Sequence, residues 1–216
     1  MAAATAAIAL TVPAIAGYLD AKYHLLTDLH LISSLAFCRI QCAIREKRDR
    51  LHPFYVLEEH AQKFPERTWL WFQGKEYSYK QGYEAVIRHG NWFRDECGVK
   101  KGDIIAIDFM NCPEMIFIWM GLWAIGGIPA FYNYNLTGDA LVHVVKVSTA
   151  KLAIVGHRVE ETVGVKKQIN EALPEVNVVI FDETLENTVA NWRMDRPEEE
   201  LLSGAKLADM AALVYT

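Results

Sequence analysis

The pattern of apolar and polar positions divides the chain in two. Through residues 24–45, Leu25, Leu29, Ile32, Ala36, Ile40 and Ala43 recur at helical spacing, with Thr27, His30, Ser34, Gln41 and Arg45 on the opposite stripe, which predicts an amphipathic helix. Beyond it, short apolar runs alternate with longer amphipathic ones. Pro53 opens a helix to Lys63 from the N1 position, where its missing N–H costs nothing. Thr68–Gln73 and Glu76–Tyr77 flank Gly74-Lys75 as a hairpin. Ser78 and Gln81 have capping-box spacing and start a helix to about Cys97, stopped by Gly98. Further strands are expected over Ile104–Phe109, Ile128–Tyr132, Leu152–Val155, Val178–Phe181 and Met210–Tyr215. The helices between them run from Pro113 to about Ile125, from Thr137 to about Val147, and over Val159–Leu173. Asp182–Glu200 reads as a polar, acidic loop. Strands alternating with helices of this length predict an α/β fold on a parallel sheet, and strands apolar throughout are expected where helices cover both faces.

Two stretches carry a membrane signal. Ala2–Leu19 holds no charged side chain, and as a helix it would rise roughly 27 Å, close to the hydrocarbon thickness. A transmembrane anchor over 1–20 is the favoured reading. A cleaved signal peptide lacks its positive n-region here, and a buried or simply disordered Ala-rich tail is the remaining alternative. Met115–Tyr132 is also free of charge, but Gly126, Gly127 and Pro129 interrupt it, so a buried helix followed by a core strand explains it better.

Composition narrows the class. The 216 residues are 52% hydrophobic and 23% charged, which excludes a disordered or collagen-like chain. With 22 Lys+Arg against 27 Asp+Glu the net charge is −5, arguing against nucleic acid as a partner. The charge is uneven: five basic and two acidic side chains fall in Arg39–Arg50. A basic amphipathic helix over 21–52, behind an anchor, suits an anionic cytosolic leaflet, the alternative being a solvated helix packed on the protein's own domain. Lys22 and Arg39 follow the anchor and no basic residue precedes it, so residues beyond about 22 are expected to be cytosolic. Cys38, Cys42, Cys97 and Cys112 show no paired metal spacing and are read as reduced thiols.

Catalytic motifs are scarce. There is no Gly-x-Ser-x-Gly elbow, no His-Glu-x-x-His, and no Gly-x-Gly-x-x-Gly after a strand. Gly121 and Gly126 have phosphate-loop spacing, but Gly127 and Ile128 stand where Lys and Ser/Thr are required. The residues themselves nominate no catalytic side chain and no metal ligand.

Several segments together nonetheless resemble a known family. Phe72-Gln-Gly-Lys-Glu-Tyr-Ser-Tyr79, Gly98-Val-Lys-Lys-Gly-Asp-Ile-Ile-Ala-Ile107, the run Asn111–Gly126 and Asn133-Tyr-Asn-Leu-Thr-Gly138 resemble adenylate-forming enzymes. With Leu141-Val-His143, Lys146-Val-Ser148 and Asp49–Glu59 they are similar to the fatty acid transport proteins, the very-long-chain acyl-CoA synthetase branch of AMP-binding enzymes. The resemblance implies that 53–216 is the N-terminal part of an adenylate-forming domain. It implies fatty acid activation by ATP to an acyl-adenylate, transfer to CoA, and coupling to fatty acid uptake. ATP, Mg2+ and CoA are implied for a full-length member. Tyr215 and Thr216 match the start of the family's ATP phosphate loop and are the cofactor-binding candidates. This chain alone is expected to be inactive and to hold none of these cofactors. The implied partners are a membrane (endoplasmic reticulum, plasma membrane, peroxisome or lipid droplet) and a long or very-long-chain fatty acid, with a homo-oligomer left open. A non-catalytic, membrane-anchored binding module is the alternative.

Overall fold

The computed structural model describes residues 15–215, and most of the expected 1–20 anchor lies outside them. The chain divides into two units, one ending at Arg48 and the other starting at Asp49.

In the first unit, residues 15–23 are helical (α1) and Leu25–Lys47 forms α2. The break falls at His24, which sits in the left-handed region with φ 53°, while Asp20 Oδ1 accepts from the Leu26 N–H at 2.7 Å. Asp28 in the first turn and Arg45 and Lys47 in the last complement the helix dipole. No α2 residue is buried. Leu25, Leu29, Ile32 and Ile40 of the expected stripe are exposed, and so are Leu26, Leu31, Leu35 and Phe37 outside it, so the apolar arc is broader than the periodicity alone suggested. Among the described residues no helix is long and apolar enough to cross a membrane.

The second unit opens with α3 (Phe54–Lys63), for which Pro53 is the N-cap and not the first helical residue. Strands β1 (Thr68–Phe72) and β2 (Lys75–Ser78) pair antiparallel. Helix α4 (Tyr79–Asp95) starts with the anticipated capping box: Gln81 Oε1 accepts from the Ser78 N–H, and Ser78 Oγ from the Gln81 N–H. Then follow β3 (Ile104–Asp108), α5 (Pro113–Ala124), β4 (Ile128–Phe131), α6 (Gly138–Ser148), β5 (Leu152–Gly156), α7 (His157–Val163), α8 (Val165–Ala172), β6 (Asn177–Phe181), α9 (Glu183–Ala190), a 3-10 turn at Glu199–Leu201, and β7 (Leu213–Val214).

Five strands form one parallel sheet in the order β6-β5-β3-β4-β7. Alternation along each strand divides the core. On one face Ile105, Ile107, Ile154 and Phe181 pack with Trp92 and Phe93 of α4, Ile118 and Leu122 of α5, and Val189 of α9. On the other, Ala106, Ala153, Val155 and Val178 meet Leu141 and Val145 of α6, Val159 of α7, and Ile169 of α8. A third cluster, around Phe54, Tyr55 and Leu57, seats α3 on α4 and on Phe117 of α5. Helices α4 and α5 cross closely because glycines meet there: a Cβ on Gly90 would lie 2.7 Å from the Gly121 carbonyl.

Three further expectations needed correction. The single helix over Val159–Leu173 is two, because Gly164 adopts φ 67° and caps both. Asp182–Glu200 is not a loop throughout: Asp182 caps α9 by accepting from the Leu185 N–H at 2.8 Å, and the residues after α9 are pinned by ion pairs. The last strand covers only two residues; upstream of it, Trp123 Nε1 donates to the Ala211 carbonyl.

Candidate functional site at the carboxyl edge of the sheet

The connection after β3 runs through α5 on one face, and that after β5 runs through α7 and α8 on the other. Ligands of open α/β sheets bind outside the strand carboxyl ends at such a reversal. A cavity of about 450 Å³ lies there. Phe109 and Phe181 form its floor, their rings 6.1 Å apart, and the β1–β2 hairpin contributes Phe72 and Tyr77 as a wall. Gly156 admits the Phe109 ring, which a Cβ there would approach to 3.0 Å. The rim carries both signs, Lys75 and Arg158 against Glu114 and Glu186. Burial raises the Glu186 carboxyl, as does Glu114, while Lys75 opposes them. Burial also pushes the Cys112 thiol up to about 11, so it is not a thiolate nucleophile at neutral pH. The cavity is suited to holding a small molecule with an apolar body.

Beside it, the strand registers set a row across the sheet. Asp108 pairs with Val155 of β5, Ile107 with Phe131 of β4, and Phe131 with Val214 of β7. One step on, Asp108, Tyr132 and Tyr215 therefore end neighbouring strands. Asp108 is only 1% exposed and neither carboxylate oxygen has a hydrogen-bond partner among the described residues. Burial, and secondarily the charge of Glu160, push its carboxyl up to about 7. Tyr132 is buried with its hydroxyl unpartnered among the described residues, and its phenol is raised by burial and by the charge of Asp108.

Of the two cofactor candidates read from the sequence, Tyr215 is half-buried against the cluster containing Tyr132 and Leu141, and its N–H donates to the Phe131 carbonyl at 2.9 Å. That N–H is already committed to the sheet and is not available to a phosphate. Thr216 lies outside the described residues. Sequence reading missed Asp108 and Tyr132, although an acid closing Ile-Ile-Ala-Ile-Asp, a strand covered on both faces, is itself a signal.

Comparison with known proteins fits this geometry. Residues 57–216 match the family described as "AMP-binding enzyme". Isopenicillin N epimerase component 1 of Hapsidospora chrysogena is 35% identical over 76% of this chain and 27% of its own length. The very long-chain fatty acid transport protein of Cochliobolus heterostrophus is 37% identical over 65% of this chain and 23% of its own, and that of Saccharomyces cerevisiae 30% over 76% and 26%. The chain thus spans about a quarter of these relatives. Among solved structures, a fatty acyl CoA synthetase of Mycobacterium tuberculosis superposes with a TM-score of 0.66 at 19% identity, over 78% of this chain and 33% of that one.

Proposed function

Because the chain belongs to the AMP-binding enzyme family, we propose that it is the N-terminal part of a membrane-bound acyl-CoA synthetase acting on long or very-long-chain fatty acids. The observation that carries this reading is the family match over 57–216, joined to relatives named as very long-chain fatty acid transport proteins. In the proposed reaction a fatty acid carboxylate oxygen bonds to the α-phosphorus of ATP and pyrophosphate leaves. The CoA sulfur then bonds to the acyl carbon and AMP leaves. Mg2+ would neutralise the phosphates when bound.

The contribution of this chain is the scaffold. Strand β7, hydrogen-bonded to β4, delivers Tyr215 to the carboxyl edge, and the ATP phosphate loop is proposed to start at Tyr215 and Thr216. Among the described residues, no group of three or more His, Cys, Asp and Glu side chains could hold a metal ion.

The first unit is proposed to hold the protein on a membrane, with residues beyond about 22 cytosolic. Its support is the exposed apolar surface of α2 and the basic cluster at Arg39–Arg50. Binding to anionic liposomes that survives Gln at Arg45, Lys47, Arg48 and Arg50 together counts against it.

The decisive experiment is fatty-acid-dependent ATP–pyrophosphate exchange, run on this chain and on the full-length product of the same reading frame. Exchange by the long form alone supports the reading. Exchange by the 216-residue chain would mean that an active site lies within it. Exchange by neither form, across long and very-long-chain acids, would leave the second reading, a non-catalytic binding module. The carboxyl-edge cavity favours that one, since residues of this chain alone build it.

A further inference from the structure

The four thiols of the chain fall into two settings. Cys97 and Cys112 pack against the apolar core of the larger unit. Burial, and secondarily the charge of Glu96, push the Cys97 thiol up to about 12, and burial holds Cys112 at about 11, so neither supplies a thiolate at neutral pH. Cys38 and Cys42 stand instead on α2, which buries none of its residues; Cys38 is exposed and Cys42 half-buried. With Leu31 and Leu35, both exposed, they fall at i, i+4, i+7 and i+11, a single stripe of the helix. That stripe leads into the basic cluster: Arg45 comes one turn after Cys42, and Lys47, Arg48 and Arg50 follow. Side chains at i, i+4 keep their Cβ atoms about 5–6 Å apart, beyond the roughly 3.5–4.5 Å that a disulfide needs. The two thiols therefore cannot bridge each other while α2 is helical, and both stay open to other chemistry.

We propose that Cys38 and Cys42 are S-acylation sites, taking long-chain acyl groups from acyl-CoA at the cytosolic leaflet. The proposal rests on the membrane role given above to the first unit. The cysteine sulfur attacks the acyl carbon of the CoA thioester. A new S–C bond forms, the bond from that carbon to the CoA sulfur breaks, and the thiol proton passes to the CoA sulfur. One thioester replaces another, so the exchange needs no oxidant and no second energy source. The basic cluster draws this part of α2 to anionic headgroups, where a membrane-dissolved acyl donor collects. Chains added at Cys38 and Cys42 enter the same layer as Leu31 and Leu35. A single acyl chain holds a protein only reversibly, and stable attachment takes two signals. Two thiols on one stripe, beside a basic patch, supply them.

The test is metabolic labelling of this chain in eukaryotic cells with an alkynyl palmitate, read before and after neutral hydroxylamine, which cleaves thioesters and spares amides. Wild type should carry label that hydroxylamine releases. C38A and C42A should each lose about half of it, and C38A/C42A should fall at least tenfold. Ala is the strongest helix former, so a loss in these variants reports the missing thiol and not a melted α2. Label that persists in C38A/C42A, or that hydroxylamine spares, would overturn the proposal. So would a single variant that loses all the label while the other loses none, because the pair would then not act as two sites.

Fractionation of the same cells separates this proposal from the reading beneath it. Wild type that sediments with membranes and carries no releasable label refutes S-acylation and leaves the membrane role standing. Releasable label on a chain recovered from the soluble fraction sinks the membrane role and keeps the modification. An unlabelled, soluble chain overturns both.

Discussion

Glu58 and Asp108 are both carboxylates sealed inside the larger unit, and their surroundings are opposite. Glu58 on α3 accepts from the Tyr83 hydroxyl at 3.0 Å, from Arg196 Nε at 2.5 Å and Nη2 at 3.2 Å, and from Arg50 at 3.4 Å. Asp108 has no partner among the described residues. Around Glu58 the network widens: Glu199 takes the Tyr55 hydroxyl at 2.7 Å and pairs with Arg196 at 2.7 Å, and Arg94 binds Glu198. These contacts clamp the segment after α9 onto α3 and α4. That segment carries the chain from β6, at one edge of the sheet, back to β7 at the other. The saturated carboxylate thus belongs to the structure, holding the return path. The bare one lies at the carboxyl end of β3, two strands in from β7. Burial alone does not set a carboxylate's role: the contrast lies in the donors that the surrounding elements bring to it.

The largest expected effect comes from the bare carboxylate. The Asp108 carboxyl is raised to about 7 in the folded chain, from an ordinary value near 3.8 when unfolded. Below pH 3.8 both states carry the proton and the group is neutral to stability. Between there and pH 7 the unfolded state ionises while the folded state does not, so stability falls as pH rises, and levels off above 7. The total is roughly 4 kcal/mol at 1.36 kcal/mol per pKa unit. Asp108→Asn should remove this slope. Urea unfolding at pH 4 and pH 8 should show the variant gaining about that much on wild type at the higher pH. An equal difference at both would mean that Asp108 is paired in solution.

Glu58→Ala should act in the opposite sense. Removing one member of a buried ion pair strands its partners, here Arg196, Arg50 and the Tyr83 hydroxyl, and typically costs 3–5 kcal/mol. The Arg196 side chain is 31% exposed and can turn to water, so about 3 kcal/mol is expected by denaturant unfolding. A loss under 1 kcal/mol would show that the return path is held by apolar packing alone.

How far the sequence revealed these regions depends on range. Local signals were readable: the Ser78–Gln81 box, the Gly74 turn and the apolar runs of β3 to β6 all stand where spacing put them. The clamp was not readable, because Arg50 and Glu58, Tyr83, and Arg196 converge from three separate stretches and each alone looks like a surface residue. Acidic residues at 182–200 read as a solvated loop for that reason, although Asp182 before Leu185 was a usable cap signal. Gly164 inside an otherwise regular pattern hid a helix break, since glycine can be tolerated in a helix or end one. At the candidate site, resemblance supplied Tyr215, whereas Asp108 needed the sheet register before its isolation could be seen.

A matched pair of tyrosines sharpens the contrast at smaller scale. Tyr83→Phe removes a hydrogen bond to a charged acceptor and should cost about 1.5 kcal/mol. Tyr132→Phe removes a hydroxyl with no described partner and should fall within about 0.5 kcal/mol of wild type, or stabilise slightly. Thermal unfolding of the two variants of this chain, side by side, checks both. A cost at Tyr132 equal to that at Tyr83 would place a partner on the Tyr132 hydroxyl within the chain itself.

The smallest effect is expected at the rim of the clamp. Arg94 holds both carboxylate oxygens of Glu198, and this contact, mainly through the hydrogen bonds, lowers the Glu198 carboxyl to about 2. A depressed carboxyl contributes stability above its unfolded pKa and loses it as pH falls through the folded one, so any contribution should fade between about pH 4.5 and 2. Yet the Glu198 side chain is 56% exposed, where water and salt screen the attraction and ordering two long side chains offsets it. Glu198→Gln should therefore cost no more than about 0.5 kcal/mol at low ionic strength, and nothing measurable in about 0.5 M salt. The comparison with Glu58→Ala carries the information. If the two cost the same, the charges from Arg50 to Glu199 act as one cooperative unit. If Glu198→Gln is nearly silent, burial is what separates the anchor from its rim, and the return path hangs on Glu58.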